Sequence, residues 1–291
     1  MALAVVMLVA LALPLPGRAA QQQEQRQQQQ QEQQQQQHPP LTVDRQFELA
    51  ECVINVDQAA LYIAQAGLTI YAADSDCSPD NLDAPGVNNT ERACAADILN
   101  VLTSFGWTAT YLATAASECA ETVNSLATCA ADVTWLVTSF SEIATASASI
   151  AVDCVKDEAS LDRAAERRLI AGVSESLTAE DRKVDIASCV VDVNMAAGYL
   201  VRASKQIHDG VKDCPKGDTQ GCFVDVNNVI SSFAWVIQFL TYAASDCGES
   251  ALQDAACAGD IADLVAGVTS LNAAAMSLTN GCYPDAQMEL P

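Results

Sequence analysis

Apolar residues recur at intervals of three and four along most of the chain after residue 41, which is the spacing of a helix with one apolar face. The segment CFVDVNNVISSFAWVIQFLTYAASDC (222–247) shows this best, with its apolar positions at Val226, Val229, Phe233, Val236, Leu240 and Ala243. Alternation with a period of two, which would indicate strands, does not occur. The pattern predicts an all-α fold in which this apolar stripe faces the core.

Cysteines bound each predicted helix. They form pairs 25 residues apart at Cys52 and Cys77, Cys94 and Cys119, Cys129 and Cys154, Cys189 and Cys214, Cys222 and Cys247, and Cys257 and Cys282. A helix of this length spans about 37 Å, so the two cysteines of one unit cannot bond to each other. Twenty-five residues at about 100° each return to within about 20° of the starting direction. Both cysteines therefore lie on the same stripe, at opposite ends of the helix.

The six units also form two sets of three, and corresponding units of the two sets resemble each other. The units that begin at Cys94 and Cys222 match at Trp107 and Trp235, and those that begin at Cys52 and Cys189 each have a tyrosine ten residues later. Internal repeats of this kind predict repeated structural units. We therefore expect two tandem homologous three-helix modules, 41–154 and 189–291, made of six antiparallel helices of about 25 residues that are crosslinked by disulfides at their ends.

Antiparallel neighbours bring the end of one helix beside the start of the next. This geometry predicts the bridges Cys77–Cys94, Cys119–Cys129, Cys214–Cys222 and Cys247–Cys257. Four cysteines remain for bridges between the modules, and the sequence alone does not fix how they pair. A closed ring of helices would join Cys154 to Cys189 and Cys52 to Cys282, whereas a side-by-side arrangement would join Cys52 to Cys189 and Cys154 to Cys282; we favour the ring because it joins sequence neighbours.

The segments outside the modules indicate where the chain resides. Residues 1–20 have the layout of a signal peptide, a short apolar run followed by small residues. Residues 21–40 are a glutamine-rich tail that we expect to be disordered. Residues 155–188 form a charged linker with a predicted short helix at 160–173. An export signal and twelve cysteines together predict a secreted protein, or one in a lumen reached through the secretory pathway, with all cysteines in disulfides.

The net charge of −23 narrows the choice of partners. Nucleic acid and anionic membrane surfaces would repel such a chain, whereas a cationic protein or an apolar small molecule would not. Two stretches, 98–117 and 226–245, contain no charge and are long enough to cross a bilayer. They are rich in Thr, Ser, Asn and Ala, lack flanking Lys or Arg, and are the middle helices of the modules, so we expect a soluble bundle.

Candidate chemistry is sparse. The chain has two histidines and no catalytic triad, zinc-binding helix, phosphate loop or CxxC pair, so no catalytic residue, metal site or cofactor is predicted. Acidic residues do recur at the predicted helix ends. Most units begin with C-x-x-Asp and end with Asp or Glu before the cysteine. We expect the first set to complement the helix dipole in the first turn. The second set would oppose the dipole, so either these residues already lie in the turn after the helix, or the ends of the bundle gather carboxylates that a hard cation such as Ca²⁺ could bridge.

Two aromatic pairs are the candidate ligand-binding residues, Trp107 with Tyr111 and Trp235 with Phe239. They lie beside the main stripe, where they would either pack between helices or line an apolar pocket. Asn88 begins an N-x-T sequon in the longest junction, a candidate glycosylation site. These features favour a non-catalytic structural or interaction protein. The alternative is a carrier of a lipid, sterol or pigment, and an enzyme of unknown type ranks third.

Overall fold

The structure, a computed structural model, describes residues 43–78, 88–120, 125–154, 179–247 and 253–282. These residues lie in six α-helices or in the turns attached to them, which confirms the predicted all-α fold. The helices are α1 (Val43–Asp76), α2 (Asn88–Glu118), α3 (Ser125–Asp153), α4 (Ala179–Lys216), α5 (Thr219–Asp246) and α6 (Gln253–Gly281). The predicted signal peptide, the glutamine-rich tail and the short helix at 160–173 fall outside the described residues.

The chain divides into two compact units. The first comprises Met1–Gln46, of which the structure describes only the opening turn of α1. The second comprises Phe47–Pro291 and contains the rest of α1 and the other five helices.

Each helix begins before the first cysteine of its repeat, whereas only α4 continues past its second cysteine. Helix α4 begins at Ala179, before Cys189, and Asn88 is the first residue of α2 rather than a loop residue. Helices α4 and α5 are joined by a tight turn in which Gly217 has a φ of 81°, a conformation that suits a residue without a side chain. Asp218 then caps α5 by accepting a hydrogen bond from the backbone N–H of Gly221 at 2.9 Å.

The second unit is built as two layers of three helices, α1–α2–α3 and α4–α5–α6. Helix α1 lies antiparallel to α4, because Lys205 is paired with Glu51 at 3.1 Å while His208 stacks on Phe47 at 4.7 Å. Helix α3 lies antiparallel to α6. The middle helices α2 and α5 meet through their tryptophan side chains.

Two disulfides, one near each end, join each of three helix pairs. Helices α1 and α2 are joined by Cys52–Cys119 and Cys77–Cys94, α4 and α5 by Cys189–Cys247 and Cys214–Cys222, and α3 and α6 by Cys129–Cys282 and Cys154–Cys257. No cysteine of the chain is free. The two bridges between α3 and α6 connect the first three helices to the last three.

Part of the predicted pairing is wrong. Cys77–Cys94 and Cys214–Cys222 form as expected, but Cys119–Cys129 and Cys247–Cys257 do not, and neither the ring nor the side-by-side pattern between the modules occurs. The reason is the direction in which the cysteine side chains point around the helix axis. Two cysteines 25 residues apart point in nearly the same direction, so both bond to the same neighbouring helix. The predicted bridges would have required α2 to point its two cysteines at two different helices.

The interior is unusually polar. Its apolar part consists mainly of alanines and a central aromatic cluster, and it contains no fully buried leucine or isoleucine among the described residues. Buried serine, threonine, asparagine, glutamine and carboxylic side chains make up the rest. The stripe predicted to face the core is divided: Val236 and Ala243 are buried, but Val226, Phe233 and Leu240 are 48%, 44% and 51% exposed. The prediction that the whole stripe faces inward is therefore wrong.

Candidate functional site

The four candidate ligand-binding residues lie together at the centre of the bundle. Trp107 contacts Trp235 edge to face at a centroid distance of 5.2 Å, and both Tyr111 and Phe239 are buried beside them. Tyr199 stacks on Trp235 at 4.6 Å and extends the cluster to α4. The rings fill the space between the two layers, so they pack as a core.

Tyrosine hydroxyls link this cluster across three helices. The hydroxyl of Tyr199 is 2.7 Å from that of Tyr62 and 2.7 Å from that of Tyr111. Burial raises the pKa of all three phenols, so they stay protonated and serve as hydrogen-bond donors and acceptors. The guanidinium of Arg202 lies 4.8 Å above the Tyr111 ring and donates to Asn55 Oδ1 at 2.6 Å. This arrangement fixes α1, α2 and α4 relative to one another.

Two buried carboxyl groups lie on the other side of the cluster. Glu142 accepts a hydrogen bond from Trp235 Nε1 at 2.6 Å. Burial, and then the neighbouring Asp263, raise the pKa of Glu142 well above its usual value. Burial also raises the pKa of Asp263 to about 7. Both carboxyl groups are therefore protonated more readily than an ordinary side-chain carboxyl.

A cavity of about 220 Å³ opens next to the aromatic cluster, between α1, α2, α3, α4 and α5. Its lining combines tryptophan faces with carboxylates and two cations, Arg202 and Lys205. The carboxylates that line it are Glu51, Glu118, Asp132, Asp209 and Asp225. A lining of this kind suits a polar or charged molecule, and it does not suit the lipid, sterol or pigment expected for the predicted apolar pocket.

Most of these cavity residues were not anticipated from the sequence. Nothing in the sequence pattern singles out Glu51, Arg202, Lys205 or Trp135. A signal was present for Glu142, the only charged residue between Asp132 and Asp153 in α3. A single charge within a long uncharged helical stretch is expensive to bury, so it indicates a polar interior or a specific partner.

The acidic residues at the helix ends meet in pairs beside the disulfides. Asp97 lies next to Asp76 at the Cys77–Cys94 bridge, and Asp192 lies next to Asp246 at the Cys189–Cys247 bridge. Burial first, and the second carboxylate next, raise the pKa of Asp97 to about 7 and that of Asp192 to about 8. A large share of the Asp97 and Asp192 side chains is therefore protonated near neutral pH.

The same arrangement recurs at two further bridges. Asp260 lies next to Asp153 beside Cys154–Cys257, and burial is the main cause that raises the pKa of Asp260 to about 7. At Cys52–Cys119 an amide replaces one acid, and Asn55 Nδ2 donates to Glu118 Oε2 at 2.6 Å. Burial, and then Glu51, raise the pKa of Glu118 to about 9.

These pairs correct one interpretation of the acidic residues. The C-x-x-Asp carboxylates do not lie in the first turns of their helices, because every helix begins several residues before its first cysteine. Asp97, Asp192 and Asp260 face the acid of a neighbouring helix instead, whereas Asp132 accepts a hydrogen bond from Ser277. Within the described residues, no group of three or more side chains is arranged to hold a metal ion.

The outer face of α5 is apolar, whereas the interior of the bundle is unusually polar. Every exposed residue from 223 to 240 is a large apolar side chain: Phe223, Val226, Ile230, Phe233, Ile237 and Leu240. Helix α2 has a similar stripe on the outside of the other layer, with Ile98, Leu102, Phe105 and Leu112 exposed. We call these two stripes the α5 seam and the α2 seam.

The remaining helices also expose apolar side chains, and four helical segments are long and apolar enough to cross a membrane, namely 125–153, 182–216, 219–246 and 254–279. The uncharged run at 226–245 lies within one of these segments. A second, apolar depression of about 490 Å³ lies between α4 and α5, where Ile207, Val211, Val226, Val229 and Ile230 line it.

No protein-family model, curated protein sequence or solved structure matches this chain.

Proposed function

We propose that this chain is a non-catalytic structural protein of an extracellular or luminal space, and that it acts by packing its outer helix faces against further copies of itself. The six disulfides indicate an oxidising environment. The observation that carries the proposal is the α5 seam, in which every exposed residue over about 26 Å of the helix is a large apolar one. Water-soluble monomers rarely leave such a surface uncovered.

The spacing of the seam favours a helical partner. Its residues follow one another at steps of three, four, three, four and three, which is the repeat of a coiled-coil interface. The exposed residues of the α2 seam step by four, three and seven, with the exposed Ala109 in the position between Phe105 and Leu112. Because the two seams lie on the outer faces of opposite layers, one copy has room for two neighbours. Contacts of this kind give open-ended assemblies when they join unlike faces.

A bilayer is the main competitor for these surfaces. Against it stands the distribution of disulfides, three near each end of the bundle, since both ends must mature in an oxidising compartment. A bundle that crossed a membrane with one end in the cytosol would have that end kept reduced. If a second copy of the chain covers these surfaces instead, both ends of the bundle stay in the same oxidising compartment.

Association in solution tests the proposal. We would measure the mass of the mature chain by light scattering and sedimentation at 50 and 500 mM salt. We expect oligomers that grow with salt, because the net charge of −23 repels neighbours until it is screened. The double variant Phe233→Ser/Ile237→Ser should be monomeric. The matched control is Ile63→Ser/Ile70→Ser, which removes similar exposed side chains from α1 and should still assemble.

A wild-type protein that stays monomeric in both salts would overturn the proposal. Equal loss of assembly in both variants would show that exposed apolar side chains associate non-specifically and that the α5 seam is not a specific interface. Flotation with zwitterionic vesicles, without self-association, would favour the membrane instead.

A second candidate function is the carriage of an apolar molecule, now placed in the depression between α4 and α5. Its volume of about 490 Å³ lies within the usual range of ligand sites. Gly210 lines it, and a Cβ added there would meet only Asp225 Cβ at 3.5 Å. Gly210→Leu should therefore fill the depression and abolish displacement of a fluorescent fatty acid. Gly67→Leu, in open space, is the control. No displacement by fatty acids, sterols or carotenoids would remove this candidate.

We also infer that the two halves of the bundle arose by duplication of a three-helix module. The bridges Cys52–Cys119 and Cys189–Cys247 join corresponding helices at corresponding positions. Tyr62 and Tyr199 meet at the centre, as do Trp107 and Trp235. Each of these residue pairs occupies the same place in the two repeats of the sequence.

A further inference from the structure

The polar cavity has the chemistry of a small-molecule site, and this is independent of the outer surface. All three tryptophans of the chain, Trp107, Trp135 and Trp235, line its volume of about 220 Å³. Aromatic faces together with carboxylates are the combination by which proteins bind organic ammonium ions. A purely structural bundle would have no need to gather its tryptophans around an open space.

The cations of the lining already have partners. Lys205 is paired with Glu51 at 3.1 Å and with Asp209 at 2.9 Å. Arg202 donates to Asn55 and lies above the ring of Tyr111. The charge of both cations is therefore compensated within the protein.

Two of the carboxylates are not satisfied in this way. Asp132 is only 5% exposed; its Oδ1 accepts a hydrogen bond from Ser277 at 2.8 Å, while its Oδ2 has no partner in the described part of the chain. Asp225 Oδ2 is likewise buried without a partner there. A buried carboxylate oxygen without a donor costs free energy. The lining therefore lacks donors at these two carboxylates.

One donor is also left over, because Arg202 Nε has no acceptor among the described residues. A ligand that brings N–H donors for Asp132 and Asp225 and an oxygen acceptor for Arg202 would complete these hydrogen bonds. Since the cavity is bordered by indole rings, an aromatic or alkyl body between the two polar groups would pack well.

We propose that this cavity binds a small organic ammonium ion that also carries an oxygen acceptor, with Asp132 and Asp225 on the ammonium group and the tryptophans around its body. Asp225 supplies an anion at neutral pH, since burial raises its pKa only to about 6. The ligand is bound without chemical change.

Three probes of similar size separate the parts of the proposal. Tyramine has both the ammonium group and the hydroxyl oxygen, phenethylamine lacks the hydroxyl, and 4-ethylphenol lacks the ammonium group. By calorimetry at pH 7.5 we expect tyramine to bind at least tenfold more tightly than 4-ethylphenol and several-fold more tightly than phenethylamine. Tryptophan fluorescence excited at 295 nm should change on binding, because every tryptophan borders the cavity.

Asp132→Asn should weaken tyramine binding at least tenfold, because it removes the charge but keeps the size and the oxygen that Ser277 contacts. Asp260→Asn is the matched control, since Asp260 also follows its cysteine by three residues and is buried, but it lies outside the cavity lining. It should leave affinity within twofold of the wild type. Failure of both amines to bind, equal binding of 4-ethylphenol, or an unaffected Asp132→Asn variant would each overturn the proposal.

Discussion

Helix α5 is apolar on its exposed face and partly polar on its buried face, which is the reverse of most soluble helices. Its exposed positions between 223 and 240 carry only large apolar side chains. Its buried positions include Asn227, Ser231, Ser232 and Gln238 beside the aromatic residues. In most soluble proteins, burial of aliphatic side chains supplies the main driving force for folding. Here much of that surface stays outside, so crosslinks, the aromatic cluster and polar contacts must supply more of the stability of the isolated bundle.

The largest expected effect of this difference is a strong dependence on the disulfides. Each bridge contributes about 2–4 kcal/mol, so six together equal or exceed the usual stability of about 5–15 kcal/mol. We expect the fully reduced chain to lose its cooperative thermal transition, as followed by circular dichroism with and without a phosphine reductant. A reduced protein that melts at the same temperature would mean that the interior holds the fold by itself.

The stability that a bridge contributes should increase with the number of residues between its two cysteines. Cys129 and Cys282 are 153 residues apart in the sequence, whereas Cys214 and Cys222 are 8 apart. In the chain-entropy model these loops correspond to about 5 and about 2.5 kcal/mol. The variant Cys129→Ser/Cys282→Ser should therefore unfold at a lower urea concentration than the control Cys214→Ser/Cys222→Ser.

A smaller effect is expected when two neighbouring aromatic residues on opposite faces of α5 are each replaced by alanine and the losses of stability are compared. Trp235 is 3% exposed and Phe233 is 44% exposed. Trp235→Ala should cost about 3–5 kcal/mol of unfolding free energy, because it opens a cavity in the central cluster and leaves Glu142 without its donor. Phe233→Ala should cost less than about 1 kcal/mol in the monomer. Urea unfolding at low protein concentration measures both, and the reverse order would show that the two faces are assigned the wrong way round.

The sequence predicted the helices well and their orientation poorly, for a physical reason. A stripe of apolar residues at helical spacing shows that a helix has two faces, but it does not say which face is inside. In α5 the polar residues Asn227, Ser231 and Gln238 recur at similar intervals and form an equally regular second stripe. The pair Trp235 and Phe239 was the better guide, because it lies on that polar side and marks the true interior, whereas Phe233 lies on the exposed side.

The disulfide partners were partly within reach of the sequence. The spacing of 25 residues implies that both cysteines of a helix face one neighbour. Applied to α2, this rule pairs Cys94 and Cys119 with the same helix, but it does not say whether that helix is α1 or α3, because the connection from Cys119 to Cys129 is shorter than the one from Cys77 to Cys94. Once α2 bonds to α1 and α5 bonds to α4, the rule leaves α3 and α6 to bond to each other. The cavity was harder to foresee, since its lining combines Lys205 and Asp132, which come from helices far apart in the sequence.

The polar interior should also give the bundle an unusual response to pH, the smallest of the expected effects. Burial raises the pKa of Asp246 to about 6, of Asp97 and Asp260 to about 7, of Asp192 to about 8 and of Glu118 to about 9. A carboxyl whose pKa is higher in the folded protein than in the unfolded chain binds a proton more tightly when folded. It therefore stabilises the fold at acidic pH and loses this contribution as the pH rises through its folded pKa.

For this chain the loss should begin at about pH 4, the pKa of an ordinary carboxyl in the unfolded chain, and be complete by about pH 9, so the melting temperature should be higher at pH 5 than at pH 8. Most proteins rely on carboxylates with lowered pKa values and are destabilised by acid, so the sign itself is the test. Asp192→Asn imitates the protonated acid beside Asp246 and should reduce the slope, whereas Asp218→Asn, on an exposed turn, should leave it unchanged. Melting temperatures measured every half unit of pH would decide the matter. A midpoint that rises from pH 6 to pH 9 would mean that the paired acids of the interior are ionised and that solvent reaches them.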